Sequence, residues 1–258
     1  MGILNITPDS FSDGSHYNNV EQAYQRGLKM KNAGVDILDI GGESTRPGAQ
    51  KVSIQQEIDR VVPVITRLKQ LNLPISIDTS KAEVMDAAVA AGANMINDVR
   101  SLQQEGALET ASRLKVPICL MHMQGQPKNM QQEPFYEDVV KDVYQFLAAR
   151  VEECVQSGID KSLISIDPGF GFGKNLQHNL LLLKHLNTFS RLQLPILVGL
   201  SRKSMLGEIT GKPIDRRLSS SLAVSLIAMQ KGARIIRVHD VEETNDLRQV
   251  FMALKSLD

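Results

Sequence analysis

The chain has little that would mark a secreted, disulfide-bonded or membrane protein. Its 258 residues include only two cysteines, Cys119 and Cys154, and neither belongs to a CxxC or Cys/His spacing. A disulfide framework and a structural zinc site are therefore not expected. No apolar run approaches the roughly 18 residues of a membrane span, and no signal peptide opens the chain. We expect a cytoplasmic protein with no membrane partner.

The chain also lacks an excess of charge of either sign. Its 29 basic residues balance its 29 acidic ones, so there is no electrostatic footprint for nucleic acid. Any binding of anions must come from a local cluster of cations. Hydrophobic residues make up 42% of the sequence, which is enough for a substantial core and too much for a disordered chain.

Short β-branched runs alternate with longer amphipathic stretches along the whole chain. Strands are predicted at residues 2–7, 36–40, 75–78, 95–98, 117–122, 163–167, 196–200 and 235–239. Helices are predicted at residues 20–32, 54–71, 82–91, 105–114, 137–157, 176–186, 217–231 and 242–257. Eight β/α units without a second compositional regime predict an α/β fold, a single-domain (β/α)8 TIM barrel over residues 1–258. A doubly wound open sheet is the competing arrangement.

Polar side chains stand at the end of nearly every predicted strand, where a buried strand has no need of them. The group comprises Asn5, Asp39, Asp78, Asn97, Asp98, His122, Asp167, Lys203, Arg237 and His239. In a (β/α)8 barrel these positions converge on one rim, where such enzymes place their chemistry. A lone Asp at a strand end is more often a cap than a catalyst, and we interpret Asp98 and Ser80 in that way. The set as a whole predicts a functional site.

The chemistry of this set divides into two halves. Asp78, Asn97 and Asp167 supply carboxylate and amide groups that can pair with the N–H edge of a nitrogen heterocycle. Arg46, Lys203, Arg237 and His239 suit a phosphate or diphosphate. The residues therefore predict a substrate that is heteroaromatic at one end and anionic at the other.

Two further segments carry weaker signals. The glycine-rich run 169–174 matches neither G-x-G-x-x-G nor the P-loop spacing. Its glycines are expected to let the backbone approach a ligand, with Phe170 or Phe172 as an apolar wall. His122 is either a structural histidine or a ligand contact. No nucleophile elbow and no reactive cysteine stands out, which favours catalysis by positioning and charge stabilisation.

Several segments carry a resemblance to a known family. The run Gly-Ile-Leu-Asn-Ile-Thr-Pro-Asp-Ser-Phe-Ser-Asp-Gly at residues 2–14 resembles the opening signature of bacterial dihydropteroate synthase. The run Asp-Ile-Gly-Gly-Glu-Ser-Thr-Arg-Pro-Gly-Ala at 39–49 resembles its second signature. Shorter motifs follow in the family's order at 77–79, 96–99, 167–174, 201–204 and 237–240.

The resemblance implies an activity and a set of roles. Members of the family join 4-aminobenzoate to 6-hydroxymethyl-7,8-dihydropterin diphosphate, and they release pyrophosphate and 7,8-dihydropteroate for folate synthesis. By this resemblance the pterin would be bound by Asp78, Asn97, Asp167 and Lys203, and the diphosphate by Thr45, Arg46, Arg237 and His239. The 4-aminobenzoate site, which sulfonamides also occupy in the family, would be lined by Pro47, Phe172 and Ser204. Asn5 would hold Mg2+, the catalytic set would be Asp78, Lys203, Arg237 and His239, and the enzyme would be a homodimer.

Three alternatives remain open. A methyltetrahydrofolate-dependent corrinoid methyltransferase shares the fold and a pterin site, but its chemistry needs no diphosphate site. A non-catalytic pterin-binding paralogue is a second alternative, although none of the positions above is degraded. A phosphosugar barrel enzyme is a third, and it would leave the carboxylate and amide set without a purpose.

The start of the chain departs from the family. A strand-like run begins at Gly2 with only Met1 before it, whereas in the family a further segment precedes the first strand. We expect either an upstream start or the loss of that segment, with a consequence for stability more than for chemistry.

Overall fold

The structure is a computed structural model that describes residues 1–6, 16–44, 52–125, 130 and 134–257. Its sheet has eight strands, each parallel to its neighbour and paired in chain order. The strands are β1 (Gly2–Asn5), β2 (Leu38–Gly41), β3 (Ile75–Asp78), β4 (Met95–Asp98), β5 (Ile118–Met121), β6 (Ile164–Asp167), β7 (Ile196–Val198) and β8 (Ala233–Ile236).

Helices connect the strands on the outside of the sheet. They are α1 (His16–Asn32), α2 (Ile54–Leu68), α3 (Ala82–Ala91), α4 (Ala107–Leu114), α5 (Val139–Gln156), α6 (Leu176–Lys184), α7 (Ser204–Thr210), α8 (Leu218–Gln230) and α9 (Val241–Lys255). Short 3-10 turns occupy Lys69–Leu71, Lys161–Leu163, Leu186–Leu192 and Ile214–Arg216. Side-chain caps fix several helix starts, since Ser53, Asp138 and Asn175 each accept a backbone N–H of the first turn.

The sheet closes on itself between its last and first strands. Gly2 forms a parallel bridge with Val238 just beyond β8. The Ile3 N–H donates to the Val238 carbonyl at 2.9 Å, and the Val238 N–H donates to the Met1 carbonyl at 3.0 Å. A doubly wound sheet would leave two open edges and change its strand order at a switch point. The predicted TIM barrel is therefore confirmed, and the open-sheet alternative is wrong.

Alternation along each strand separates the main core from the barrel interior. Residues such as Ile40, Ile77 and Ile166 are fully buried and pack outward against the helices. Their neighbours in sequence point into the barrel. A small apolar cluster there consists of Met1, Met95, Cys119 and Leu197, with Ile37 and Ile235 packed against it. These residues lie toward the amino ends of the strands, so the barrel has an apolar floor, and the fully buried Cys119 is part of it.

The structure departs from the predicted elements in two ways. The predicted strands at 2–7, 196–200 and 235–239 end earlier than predicted, because the residues that follow them leave the sheet to form the rim, whereas the strand predicted at 36–40 is shifted toward its carboxyl end, to Leu38–Gly41. Helix α7 was not predicted at all. It has only seven residues, its N-cap residue Lys203 forms no side-chain cap, and it contains Gly207, so its sequence carried neither periodicity nor a start signal.

Within the described part of the chain, no helix is both long enough and apolar enough to cross a membrane.

The two faces of β3 should respond in opposite ways to truncation. Ile77 is fully buried against the helices, so Ile77→Ala should lower the free energy of unfolding by about 2–5 kcal/mol. Ser76 points into the barrel, and its buried hydroxyl has no hydrogen-bond partner among the described residues. Ser76→Ala should therefore leave stability within about 1 kcal/mol or raise it. Urea unfolding followed by circular dichroism measures both. A loss at Ser76 as large as that at Ile77 would contradict this assignment of faces.

Candidate active site

The register of the first four strands sets predicted site residues side by side. Asn5 pairs with Gly41, Gly41 with Asp78, and Asp78 with Asn97. Asn5, Gly41 and Asp78 end their strands, and Asn97 is the last residue but one of β4, so three polar side chains share one row at the carboxyl rim. Asp39 lies two residues before Gly41 on β2, one layer deeper in the barrel.

Arg237, which follows β8, joins this row to the deeper layer. Its Nε donates to Asp39 Oδ2 at 2.6 Å, and its Nη2 donates to Asp78 Oδ2 at 2.7 Å. Asp39 Oδ2 also accepts from the Asn97 amide, Nδ2, at 3.2 Å. Burial opposes the charge on Arg237, but the attraction of Asp39 and Asp78 outweighs it and raises the pKa of the guanidinium.

Two carboxyl groups at the rim have pKa values above the ordinary value of an aspartate. Burial raises the pKa of Asp78 to about 7, although Arg237 opposes the shift. Burial also raises the pKa of Asp167 to about 6, although the Gly169 N–H donates to its Oδ1 at 2.7 Å. Perturbed acids that face a cleft are typical of functional sites. Near neutral pH each of these carboxyl groups can therefore bind a ligand in either of two ways. It can accept a hydrogen bond as a carboxylate, or it can take up a proton from the ligand.

Lys203 brings positive charge to the opposite side of the rim. It lies at the start of α7, and its ammonium stands 4.1 Å from the centre of the Phe172 ring. Burial lowers the pKa of Lys203 to about 8, and Arg237 lowers it further while Asp167 and Asp78 oppose the shift. The described part of the site therefore combines two cations with two acids: Arg237 is paired with Asp78, and Lys203 lies within the electrostatic influence of Asp167 and Asp78.

Three other predicted residues lie at the same rim. The exposed His239 has its Nδ1 3.0 Å from Ser201 Oγ, and the Ser201 hydroxyl also accepts the His239 backbone N–H at 3.2 Å. Ser204 is exposed in the first turn of α7. The Asn5 side chain is half-buried and forms no hydrogen bond with the described residues. Thr45, Arg46 and Pro47 lie outside the described residues.

The structure of the glycine-rich segment after β6 differs in part from what the sequence predicted for it. Gly169 and Gly173 have positive φ, and a Cβ on either would collide with the His122 or Gln124 carbonyl of the neighbouring loop. These two glycines therefore permit contact between two backbones, a role that the sequence did not predict, while Gly171 lies beside the Lys203 side chain of the site. Phe170 is buried in the core, so of the two candidates only Phe172 can form a wall of the site.

A buried lysine that the prediction missed holds this segment from behind. The Lys174 ammonium donates to the carbonyls of Gly169 at 2.9 Å and Phe172 at 3.0 Å, and it lies 2.9 Å from His122 Nδ1. Burial lowers the pKa of Lys174 to about 7 and that of His122 to about 2. His122 is thus a neutral acceptor, packed edge-on against Phe146. It is structural, which decides between the two readings of this residue.

A second, partly buried cluster anchors the loop after β2. The Lys81 ammonium donates to Glu43, to Glu57 and to the Val52 carbonyl, each at 2.7 Å. Glu43 and Val52 flank the segment that carries Thr45, Arg46 and Pro47, so Lys81 ties its two ends together. The capping interpretation holds for Asp98 as the cap of a turn, because its carboxylate accepts from the Arg100 and Leu102 N–H groups. It is wrong for Ser80, whose hydroxyl donates to Asp98, while the N-cap residue of α3 is Lys81.

Asp39 and Lys174 are the residues that sequence reasoning left without a role. Asp39 carried a usable signal, since it is a carboxylate inside the apolar run of a strand buried on both faces. A charge in such a place must be paired with an opposite charge. The signal at Lys174 was weaker, because a lysine that follows a glycine-rich loop is expected at the surface. Only the fold shows that this one is buried.

Comparison with known proteins agrees with this geometry. The family model described as pterin binding enzyme matches residues 1–239. Dihydropteroate synthase of Haemophilus influenzae is 52% identical over 254 residues, which are 98% of this chain and 92% of that protein.

Solved structures match as closely. A crystal structure of Yersinia pestis dihydropteroate synthase in a sulfonamide drug complex superposes with a TM-score of 0.94 at 53% identity, over 99% of this chain and 94% of that one. The Xanthomonas albilineans enzyme in complex with 7,8-dihydropteroate gives 0.90 at 48% identity, over 99% and 92%.

The fold and the rim thus define a barrel enzyme of the pterin-binding class. The chain belongs to the pterin-binding enzyme family, within its dihydropteroate synthases, and is a transferase of folate biosynthesis.

The raised pKa of Asp167 should appear in the pH dependence of stability. Between about pH 4 and pH 6 the folded chain keeps a proton that the unfolded chain has released, so the free energy of unfolding falls as the pH rises through this window. Asp167→Asn removes this term. Wild type should lose about 3 kcal/mol relative to the variant across the window, measured by urea unfolding at successive pH values.

Asp160→Asn is the control with the opposite sign. The Ser162 N–H donates to the exposed Asp160 carboxylate and lowers its pKa. Wild type should therefore gain stability relative to this variant as the pH rises. Parallel curves for wild type and Asp167→Asn would show that Asp167 titrates normally.

Proposed function

We propose that the rim site joins 4-aminobenzoate to 6-hydroxymethyl-7,8-dihydropterin diphosphate, and that each half of the site binds one half of the pterin substrate. The observation that carries this assignment is the separation of groups at the rim. Carboxylate and amide side chains stand on β3, β4 and β6, while the cations stand after β7 and β8. A flat heterocycle with a diphosphate on one arm matches that separation.

The pterin ring is assigned to Asp78, Asn97, Asp167 and Lys203. Carboxylates accept hydrogen bonds from the N–H groups of the ring, as in the recognition of a base edge. The Asn97 amide donates through Nδ2 to Asp39, which leaves its oxygen as a further acceptor for the ring. Lys203 supplies the complementary donor.

The diphosphate is assigned to Arg237 and His239, together with Thr45 and Arg46. Mg2+ would be held by Asn5, and the residues present fit this ion. Asn5 offers one amide oxygen at the rim, and Mg2+ commonly takes few protein ligands beside substrate phosphates and water. Within the described ranges, no group of three His, Cys, Asp or Glu residues could hold a metal by itself. When bound, the ion would neutralise charge on the diphosphate oxygens.

The 4-aminobenzoate site is assigned to Pro47, Phe172 and Ser204. Phe172 is half-buried beside Lys203, and Ser204 is exposed at the start of α7. The Yersinia relative is described with a sulfonamide and the Xanthomonas relative with 7,8-dihydropteroate. We propose that this chain binds the same product and that sulfonamides compete with its 4-aminobenzoate.

The chemistry follows from the placement of charge. Arg237 and Lys203 stabilise negative charge as the diphosphate leaves the methylene carbon. Asp78 and Asp167 stabilise the electron-poor pterin that remains. The amine of 4-aminobenzoate then bonds to the methylene carbon, loses a proton to solvent or a nearby base, and yields 7,8-dihydropteroate. Because the amine is a weak nucleophile, much of the rate comes from holding the two substrates together.

The test of this function is pyrophosphate release from 6-hydroxymethyl-7,8-dihydropterin diphosphate with Mg2+. Release should require 4-aminobenzoate, should be matched by 7,8-dihydropteroate formed, and should be inhibited by a sulfonamide in competition with 4-aminobenzoate. Binding of the pterin diphosphate without product would instead indicate a non-catalytic paralogue. Omitting Mg2+ should abolish release, and full release without the ion would contradict its assignment to Asn5.

We further propose that the chain forms a homodimer through α8 and α9. Val250 and Leu254 lie one helical turn apart on α9, and each is 64% exposed. Ile227 on the neighbouring α8 is also exposed. Apolar side chains clustered on adjacent helices are typical of a protein interface, and a two-fold axis lets one such patch pack on its own copy.

We also propose a cytoplasmic location, which the free, buried cysteines Cys119 and Cys154 support.

Placing a charge on this face should dissociate the dimer. Leu254→Glu would bury an unpaired carboxylate in the interface, so sedimentation equilibrium should find a monomer where wild type is a dimer. Val155→Glu changes an exposed apolar residue on α5 in the same way and should leave the dimer intact. A wild-type monomer, or a dimer that survives Leu254→Glu, would contradict this interface.

A further inference from the structure

Asp39 is a fully buried charged residue beneath the rim. Its side chain has no exposed surface, and its Oδ2 accepts from Arg237 at 2.6 Å and from Asn97 at 3.2 Å. One carboxylate oxygen thus holds two side chains to which the proposed function assigns opposite ends of the substrate. The other oxygen, Oδ1, is buried and has no partner among the described residues.

The guanidinium of Arg237 binds two carboxylates that differ in exposure. Its Nε is bound to Asp39, which has no exposed side-chain surface, whereas its Nη2 is bound to Asp78, whose side chain is 11% exposed. A ligand that enters from the rim can reach Asp78 and the outer nitrogens of Arg237. It cannot reach Asp39. The two ion pairs therefore differ in whether a substrate can compete with them.

Asp78 cannot form full-strength hydrogen bonds to Arg237 and to the pterin ring at the same time. Its Oδ2 is occupied by Arg237 at 2.7 Å, yet the proposed function needs this carboxylate for the N–H groups of the pterin. The diphosphate on the same substrate offers Arg237 a planar pair of acceptors with more negative charge than one carboxylate. One substrate thus carries a replacement partner for each member of the ion pair.

We propose that Asp39 is a positioning residue that acts as the pivot of Arg237 during substrate binding. Asp39 keeps hold of Nε while the outer guanidinium nitrogens exchange the Asp78 carboxylate for the diphosphate, and Asp78 turns to the pterin ring. This inference rests on the proposed function. Without the pivot, the guanidinium has no fixed point about which to make the exchange.

A double-mutant cycle separates this role from a merely structural one. The four proteins are wild type, Asp39→Asn, Arg237→Met and the double variant. Asp39→Asn keeps the shape of the side chain and removes its charge. It should lower kcat by about 10- to 100-fold, as loss of a supporting partner commonly does, while the KM for 4-aminobenzoate stays near the wild-type value. In the Arg237→Met background the same change should lower kcat by less than about 3-fold, because the group that it positions is gone.

Two further measurements ensure that every outcome of the cycle can be interpreted. Circular dichroism checks that each variant folds, and calorimetry gives the Kd for 6-hydroxymethyl-7,8-dihydropterin diphosphate with Mg2+ on all four proteins, so the cycle closes even where turnover is undetectable. Asp36→Asn is the matched control, since it makes the same change at an exposed position just before β2 and should leave kcat unchanged. If Asp39→Asn fails to fold, Arg237→Lys replaces it, because a lysine keeps the charge but cannot hold two partners in a fixed fork.

Equal losses from Asp39→Asn in both backgrounds would overturn the pivot, and so would wild-type kcat in Asp39→Asn or in Arg237→Lys. The proposed function is judged separately, by wild-type turnover in the same assay. If wild type releases no pyrophosphate, that function fails, and the cycle in Kd still decides whether Asp39 acts through Arg237.

Discussion

A guanidinium shared between two carboxylates is the interaction on which the upper half of this barrel depends. Arg237 joins β8 to β2 through Asp39 and to β3 through Asp78, so three strands that meet only through the sheet are also tied across its interior. Buried ion pairs rarely repay their desolvation in full. The raised pKa of Asp78, about 7, is one sign that this ion pair does not. The buried Oδ1 of Asp39, which has no partner among the described residues, is another. The apolar floor and the outer core must supply the stability that the rim lacks.

The rest of the rim is held by polar groups to which the proposed function assigns no substrate contact. Lys174 binds the segment after β6 from below, Lys81 ties the ends of the loop after β2, and Asp98 closes the turn after β4. Each satisfies backbone or carboxylate groups that would otherwise be buried without partners. Two sets of charges result: an inner set that orients loops, and an outer set with unfilled bonding capacity that faces the cleft. Such support behind the contact residues is what keeps a binding site in a productive geometry.

The sequence predicted the outer set better than the inner one, for a physical reason. Strand period and burial on both faces predict a closed parallel barrel, and the barrel places every strand end on one rim, so Asp78, Asn97 and Asp167 could be grouped without coordinates. Asp39 and Lys174 act through a single short contact across the barrel or between two loops, and no period or spacing encodes such a contact. The same limit explains why Phe170 and Phe172 could not be separated in advance: one residue of loop geometry puts the first in the core and the second beside Lys203.

The most direct test of this account is a crystal structure of the chain with 6-hydroxymethyl-7,8-dihydropterin diphosphate and Mg2+ bound. The account predicts that Arg237 Nε stays on Asp39 Oδ2, that the outer guanidinium nitrogens bind the diphosphate, and that Asp78 binds the N–H groups of the pterin. A complex in which Arg237 Nη2 still lies on Asp78 Oδ2, as at 2.7 Å in the free chain, would contradict it.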